Sequence, residues 1–274
     1  MSHCQFDGSI PEIYDAHLGP LLFDFSGADL AARVESHLTE GGHVLEVACG
    51  TGISTEHLRR VLPPATTRIL ATDLNEAMIT FAQSKRGNLP EVVFEPADVL
   101  ELPYGEREFD AVVCQFGLMF FPDKLAGLAE MARVLKPGGL LAFNVWDSHE
   151  NNQVAEISHR TIAGFFPDNP PDFLKLPFSC AEVDPIKTLI QQVGFVDLNI
   201  HIVSAVIKRP DAHHVARGFV AGNPGIHKIR ERASADPEEI IEAVAVAVEA
   251  EFGPVPLQIP LQEIVYLATK PESG

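Results

Sequence analysis

The stretch from His43 to His57, HVLEVACGTGISTEH, constrains this chain more than any other. A short apolar run ends at Glu46, passes through Ala48-Cys49-Gly50-Thr51-Gly52 and opens a helix near Ser54. A buried strand that turns through small residues straight into a helix leaves bare backbone N–H groups and a positive helix end facing an open crevice. Nucleotide-like ligands bind in such crevices. A side chain at Gly50 or Gly52 would hold the backbone away from a ligand, or block a turn that needs positive φ. Taken alone, the stretch is also compatible with a plain glycine turn in an ordinary βαβ unit.

Strand and helix signals alternate on from there. Arg68 to Thr72 runs into Asp73, and Asn75 caps a helix with Met78, Phe81 and Ala82 on one face. Val92 to Phe94 leads to Asp98, and Phe109 to Cys114 is the most strand-like run of all. Asp123 starts a helix expected to bury Leu125, Leu128, Ala132 and Leu135 and to stop at Pro137-Gly138-Gly139, before a strand from Leu140 to Trp146. Such alternation calls for a parallel sheet covered on both faces. Several of its strands end on acidic or polar residues at the ligand-binding edge.

The flanks read differently. Residues 1 to 36 carry Phe6, Tyr14, Leu18, Leu21, Leu22, Phe23 and Phe25 ahead of an amphipathic helix around Ala28 to Leu38. That is too apolar for a tail, and it packs either as plain core or as a cap over the crevice. Beyond Trp146 come a helix led by Asn151 and Asn152, an irregular passage with Pro167, Pro170, Pro171 and Pro177, and a helix from Ile186 to Val193 closed by Gly194. Val196, Leu198, Ile200 and Ile202 then alternate as in a strand with one wet face. Asp236-Pro237-Glu238-Glu239 opens a helix that turns Ile240, Ile241, Val244, Val248 and Phe252 inward, and Ile264 to Ala268 is the last strand.

Composition narrows the partners. A net charge of −18 over 274 residues, with the basic residues unclustered, disfavours nucleic acid. Cys4, Cys49, Cys114 and Cys180 show no paired spacing, which suggests a reduced compartment and no zinc site. No apolar run is long enough to span a bilayer, so the expected location is cytoplasmic, without a membrane partner. The adjacent His213 and His214 diverge by about 100° on a helix and lack a carboxylate at helical spacing, so no metal site is expected.

The motifs taken together resemble a known family. Glu46 to Gly52, Ala71-Thr72-Asp73-Leu74-Asn75, Pro96-Ala97-Asp98-Val99, Phe109 to Phe116 and Arg133 to Gly139 follow in the order and spacing of class I S-adenosylmethionine-dependent methyltransferases of the small-molecule type. The chain resembles most the relatives of the ubiquinone/menaquinone-biosynthesis C-methyltransferases. One departure is Ala48, where many members have Gly. The resemblance implies a Rossmann-like, doubly wound α/β fold with a mostly parallel seven-stranded sheet, an antiparallel C-terminal strand and helical substrate-facing additions. It implies one domain over residues 1–274, with a cap at 1–37, a cofactor-binding core at 38–147 and substrate-facing segments at 148–274.

The cofactor it implies is S-adenosyl-L-methionine, released as S-adenosyl-L-homocysteine. Asp73, about 20 residues beyond the glycine turn, is placed to accept from the ribose hydroxyls. Asp98 would accept from the adenine amine with Val99 beside the ring, and Glu46 with the loop backbone would hold the charged tail. Ala48, Gly50, Gly52, Leu74, Met78 and Gln115 complete the expected cofactor set. A nicotinamide dehydrogenase would want a third Gly three positions after Gly52, where Thr55 stands. A non-catalytic cofactor-binding protein on the same fold remains a further alternative.

The acceptor is less legible. The fourth strand ends Cys114-Gln115-Phe116-Gly117, without the Asn/Asp-Pro-Pro-aromatic tetrapeptide that family members use to hold a planar amine, so nucleobase and glutamine-amide acceptors are disfavoured. Phe116, Met119, Phe120 and Trp146 follow strand ends, and Tyr14, Phe23, Phe165, Phe166 and Phe178 lie in segments free to fold over the same edge. They suggest a closed apolar pocket for a small aromatic or quinone-like acceptor. The pocket set is Tyr14, Phe23, Phe116, Met119, Phe120, Trp146 and Phe178, and His149 is the candidate base. The atom methylated and the oligomeric state stay open, a homodimer being one alternative.

Overall fold

The apolar runs of the first half become five parallel strands: β1 (Gly42–Val47), β2 (Thr67–Asp73), β3 (Val92–Pro96), β4 (Phe109–Gln115) and β5 (Leu135–Trp146). The computed structural model describes residues 6–232 and 235–272, so Cys4 lies outside the described residues. Two long strands complete a seven-stranded sheet, β6 (Val196–Arg209) and β7 (Leu257–Thr269), in the order β3-β2-β1-β4-β5-β7-β6. β7 runs antiparallel to both its neighbours, as expected for the doubly wound fold.

The order reverses between β1 and β4, which opens a crevice at their carboxyl ends. Helices α3 (Ile53–Val61), α4 (Glu76–Arg86) and α5 (Lys124–Val134) connect the parallel strands. Asn75 caps α4 as its sequence position implies, its Oδ1 accepting from the N–H groups of Ala77 and Met78. The N-terminal segment is helical throughout, as α1 (Ile10–Ile13), a wide π-helical stretch (Tyr14–Phe23) and α2 (Asp24–His37). It packs against α3 and against α8 (Ala212–Ala221). α8 in turn packs with α6 (Gln153–Gly164), α9 (Gly225–Arg232) and α10 (Pro237–Phe252), so a helical layer stands beside the crevice, while α7 (Val183–Val193) packs against α5. None of the helices among the described residues is long and apolar enough to cross a membrane.

Several local expectations are corrected. α5 buries Gly127, Leu128, Met131 and Val134 while Leu125 is exposed, and the chain turns extended at Leu135, so Pro137-Gly138-Gly139 lies within β5 and does not stop the helix. β6 does not keep one apolar face: Leu198 and Ile200 pack on the core, Val196 is exposed on the far side of an irregularity between Val196 and Asn199, and Ile202 is exposed within the regular register. Part of the proline-rich passage winds into a 3-10 turn at Phe173–Phe178, and β7 begins seven residues ahead of Ile264.

Candidate cofactor crevice and acceptor chamber

β1 gives way to a turn in which Ala48, Gly50 and Gly52 have φ of 54°, 56° and 85°. Ala48 thus adopts the left-handed conformation with a methyl group, the smallest side chain that can. Gly52 caps α3, and a Cβ there would come within 3.0 Å of the Phe94 ring. A Cβ on Gly50 would meet only the Tyr14 hydroxyl, at 4.0 Å, so its backbone is open to an incoming group. Asp73, at the end of β2, braces the turn from below: its Oδ2 accepts from the Gly50 N–H at 2.9 Å and its Oδ1 from the Asn75 N–H at 2.8 Å. Burial raises the Asp73 pKa and those two donors oppose the rise. Asp98 accepts from the Leu100 N–H at 2.9 Å, Val99 packs on the main core, Met78 is buried and Leu74 is exposed.

The turn also gathers polar atoms that the described chain leaves without partners. Glu46 is fully buried; its Oε2 accepts from the Thr55 hydroxyl at 2.6 Å, and its Oε1 has no partner. The buried hydroxyls of Thr51 and Ser54 are likewise unpartnered. Desolvation pushes the Glu46 carboxyl up to about 7. Buried polar atoms are almost always hydrogen-bonded in native proteins, so unpartnered oxygens beside the glycine turn are free to meet a polar group. The nearby thiols are no nucleophiles, since burial raises Cys49 well above its ordinary value and Cys114 to about 12.

A clamp fixes the N-terminal segment over this turn. Asp15, nearly fully buried, pairs with Lys85 and with Arg86 Nη1 at 2.7 Å. Arg86 also donates to the Thr51 carbonyl at 2.8 Å and to Glu56 at 3.0 Å. Tyr14, next to Asp15, stacks on Phe23 with centroids 4.7 Å apart. Its hydroxyl pKa is raised by burial and by the negative charge of Asp73 and Asp15.

Tyr14 and Phe23 form the wall between two spaces. On one side is the crevice, about 260 Å³, lined by Ala48, Cys49, Thr51, Ile53 and Gln115. On the other is a chamber of about 700 Å³ lined by Phe116, Met119, Phe120, Trp146, Phe173 and Phe178, among others. Gln115 holds the wall by donating to the Phe23 carbonyl at 2.8 Å. All seven residues expected in an acceptor pocket line this chamber. Phe165 and Phe166 do not line it, and Arg232 lies over the Phe166 ring.

The chamber's amides are already engaged. Asn152 donates to the carbonyls of Asp147, Ser148 and Gln262 and accepts from the Gln262 N–H at 3.0 Å. Asn223 donates to Phe219 and accepts from Gly225. His149 lies one layer out: its ring meets Phe178 edge-on at 4.1 Å, Nε2 is 3.3 Å from the Leu174 carbonyl and Nδ1 is 3.0 Å from Glu156. His214 stacks with His17, far in sequence, and His213 faces Glu242 at 3.6 Å. Among the described residues no three His, Cys, Asp or Glu are placed to hold a metal ion.

Sequence reasoning missed the Asp15–Arg86 clamp, because neither residue carries a motif. It also missed Phe6 and Phe173 in the chamber, though the aromatic density of both flanks was the available signal.

With this geometry in view, residues 45–143 match the family described as a methyltransferase domain. Over 102 residues the chain is 38% identical to the demethylmenaquinone methyltransferase of Staphylococcus aureus (strain JH9), covering 37% of this chain and 42% of that protein. The chain thus matches less than half the length of this curated relative. Phosphoethanolamine N-methyltransferase 2 of Haemonchus contortus, solved in complex with S-adenosyl-L-methionine, superposes with a TM-score of 0.57 at 12% identity, over 95% of this chain and 56% of that one. The 4+2 cyclase SpnF superposes with a TM-score of 0.52 at 19% identity, over 98% and 99% of the two chains. Residues 45–143 thus match a methyltransferase domain, and the chain has the fold of the solved methyltransferase on which it superposes. The likeness to a cyclase is a reminder that this fold does not by itself set the reaction.

Proposed function

We propose that this chain transfers a methyl group from S-adenosyl-L-methionine to a small, largely apolar acceptor, an aromatic or quinone-like ring, by direct in-line displacement. One observation carries the reading: a polar crevice around the glycine turn adjoins an apolar chamber across a single wall, Tyr14 and Phe23. The crevice residues fit the cofactor, because the unpartnered Glu46 Oε1 and the hydroxyls of Thr51 and Ser54 are a cradle for a charged amino-acid tail. When bound, the cofactor supplies a methyl group on a sulfonium, which is already a good leaving group. What remains for the chain is binding, orientation and exclusion of water.

Asp73 accepts from the ribose hydroxyls and Asp98 from the adenine amine, with Leu74, Met78 and Val99 beside the adenosine. The backbone of Ala48, Gly50 and Gly52 contacts the tail, and the end of β4 at Gln115 flanks the sulfur side. The stacked rings of Phe116 and Trp146, 4.0 Å apart, form the acceptor floor. Residues 38–147 hold the cofactor, and 1–37 with 148–274 close the chamber. His149 can serve as a base only by leaving the Leu174 carbonyl or Glu156. An acceptor that loses its proton readily needs no such help. The quinone chemistry in the name of the Staphylococcus aureus relative supports a ring acceptor. Thr55, buried and bonded to Glu46 where a third glycine would stand, argues against the nicotinamide alternative. A small-molecule partner and a cytoplasmic location belong to the same proposal.

The test is a panel of phenols, quinols, amines and charged metabolites incubated with methyl-labelled cofactor. Label on apolar ring acceptors is expected, and Phe116→Ala should raise KM or scramble acceptor choice with cofactor affinity nearly unchanged. Label confined to charged metabolites, protein or nucleic acid overturns the reading.

A further inference from the structure

Phe116 carries the chamber's floor ring on a strained backbone, with φ of +52°. For a bulky residue that conformation is strained and persists only where the surroundings impose it. The imposing element is a buried chain of hydrogen bonds. The Phe116 N–H donates to Asn144 Oδ1 at 3.0 Å, and Asn144 Nδ2 donates to Glu263 Oε2 at 2.6 Å. Asn144 on β5 and Glu263 on β7 are both fully buried.

The groups facing Glu263 are few. From α2 come the Ser26 hydroxyl, Asp29 and Arg33, and the Arg33 charge is largely matched by Asp29 at 2.6 Å. From β5 comes the Asn144 amide, and its partner on β6 is Val203, which brings no charge. A carboxyl so enclosed is pushed up to about 7, mainly by desolvation. It therefore changes charge within the ordinary working range of a cell.

We infer that Glu263 is a proton-dependent positioning residue: its carboxylate, acting through Asn144, holds the Phe116 turn and with it the ring floor of the chamber, and protonation loosens that hold. That this floor receives the acceptor rests on the function proposed above; the linkage itself does not. Ionised, Glu263 makes the Asn144 bond charge-assisted, and the polarised amide becomes a better acceptor for the Phe116 N–H. A proton on Oε1 leaves the chain of bonds connected but removes that assistance.

Trp146, the only tryptophan in the sequence, lies 4.0 Å from the Phe116 ring and reports on it directly. Its emission in the wild-type protein, followed from about pH 5.5 to 8.5, should show a transition near the Glu263 midpoint. Glu263→Gln, which keeps an acceptor for Asn144 without the charge, should lose the transition and hold the low-pH spectrum throughout. His149 approaches Trp146 through Phe178, so His149→Gln is made in parallel and should keep the transition. In the unaltered protein the amide resonance of Phe116 should titrate with the same midpoint, a check that survives if Glu263→Gln does not fold.

A wild-type protein without a transition, a transition that persists in Glu263→Gln or vanishes in His149→Gln, or a Phe116 amide indifferent to pH overturns the inference. Cofactor affinity should be the same in wild type and Glu263→Gln, while KM for a methylated acceptor rises with kcat nearly constant. A wild-type protein that binds no S-adenosylmethionine but shows the titration would sink the proposed function and leave the linkage standing.

Discussion

Asp73 has two tasks that a single substitution can separate. It accepts from the Gly50 and Asn75 N–H groups within the protein, and its position at the end of β2 suits it to the ribose hydroxyls. Removing the carboxylate would unmoor the glycine turn as well as the ligand, so the informative change is Asp73→Asn, which keeps one acceptor oxygen. Calorimetry should show S-adenosylmethionine binding weakened by about 1.5–3 kcal/mol, the worth of charge-assisted bonds lost; unchanged affinity would contradict the assigned role. Glu46 gives a second prediction at this scale. Folding raises its pKa from 4.5 to about 7, so the ligand-free folded chain holds a proton that the unfolded chain has released. Its contribution to stability is complete below the unfolded value and is lost as pH rises through the folded one, on the order of 3 kcal/mol. Glu46→Gln should therefore flatten the fall of Tm across that interval, although Glu263 keeps part of it. An equal slope in both proteins would show that Glu46 is not held protonated.

The N-terminal helical run supplies the side chains shared by crevice and chamber, and it is the element least legible in the sequence. Its apolar residues required a packing partner, but Pro11, Gly19 and Pro20 disguised a helix that continues through a π-helical stretch. Tertiary contacts place the run beside both spaces, with Tyr14 and Phe23 lining each and Asp15 tied to Arg86, and its service as a cap belongs to the proposed function. A buried ion pair broken on one side costs about 3–5 kcal/mol because the remaining charge is stranded. Here Arg86 keeps Glu56 and the Thr51 carbonyl, so Asp15→Asn should fall at or below the lower end. The expected readout is faster proteolytic cleavage within the first helices, with slower cleavage restored by bound cofactor; cleavage at the wild-type rate would show that the clamp does not hold the cap. β6 failed for a different reason. Its hydrophobic alternation implies one face, but an irregularity near Asp197 turns Val196 away from Leu198, and Ile202 is exposed although its pairing with β7 is regular, which a periodic pattern cannot reveal.

For the whole molecule, the legible stretch and the matched stretch coincide. From Val44 to Trp146 the strands are apolar, each helix has a cap or a small-residue entry, and Glu46, Asp73 and Asp98 stand at or near the carboxyl ends of strands, so local chemistry and sheet topology agree. The same region is the one that matches the methyltransferase domain. The chamber was legible only as an excess of aromatics, because it is assembled from Phe6 to Leu261, and no local pattern encodes contacts across such separations. The Asn144 and Glu263 pair was invisible for the same reason, being 119 residues apart. The central claim is that the crevice is a site for S-adenosylmethionine. Calorimetric titration of the purified chain with S-adenosyl-L-methionine, S-adenosyl-L-homocysteine and NADH tests it most directly. Saturable binding of the first two at one site per chain, with none of NADH, is the predicted result; binding of NADH alone, or of none of the three, would contradict it.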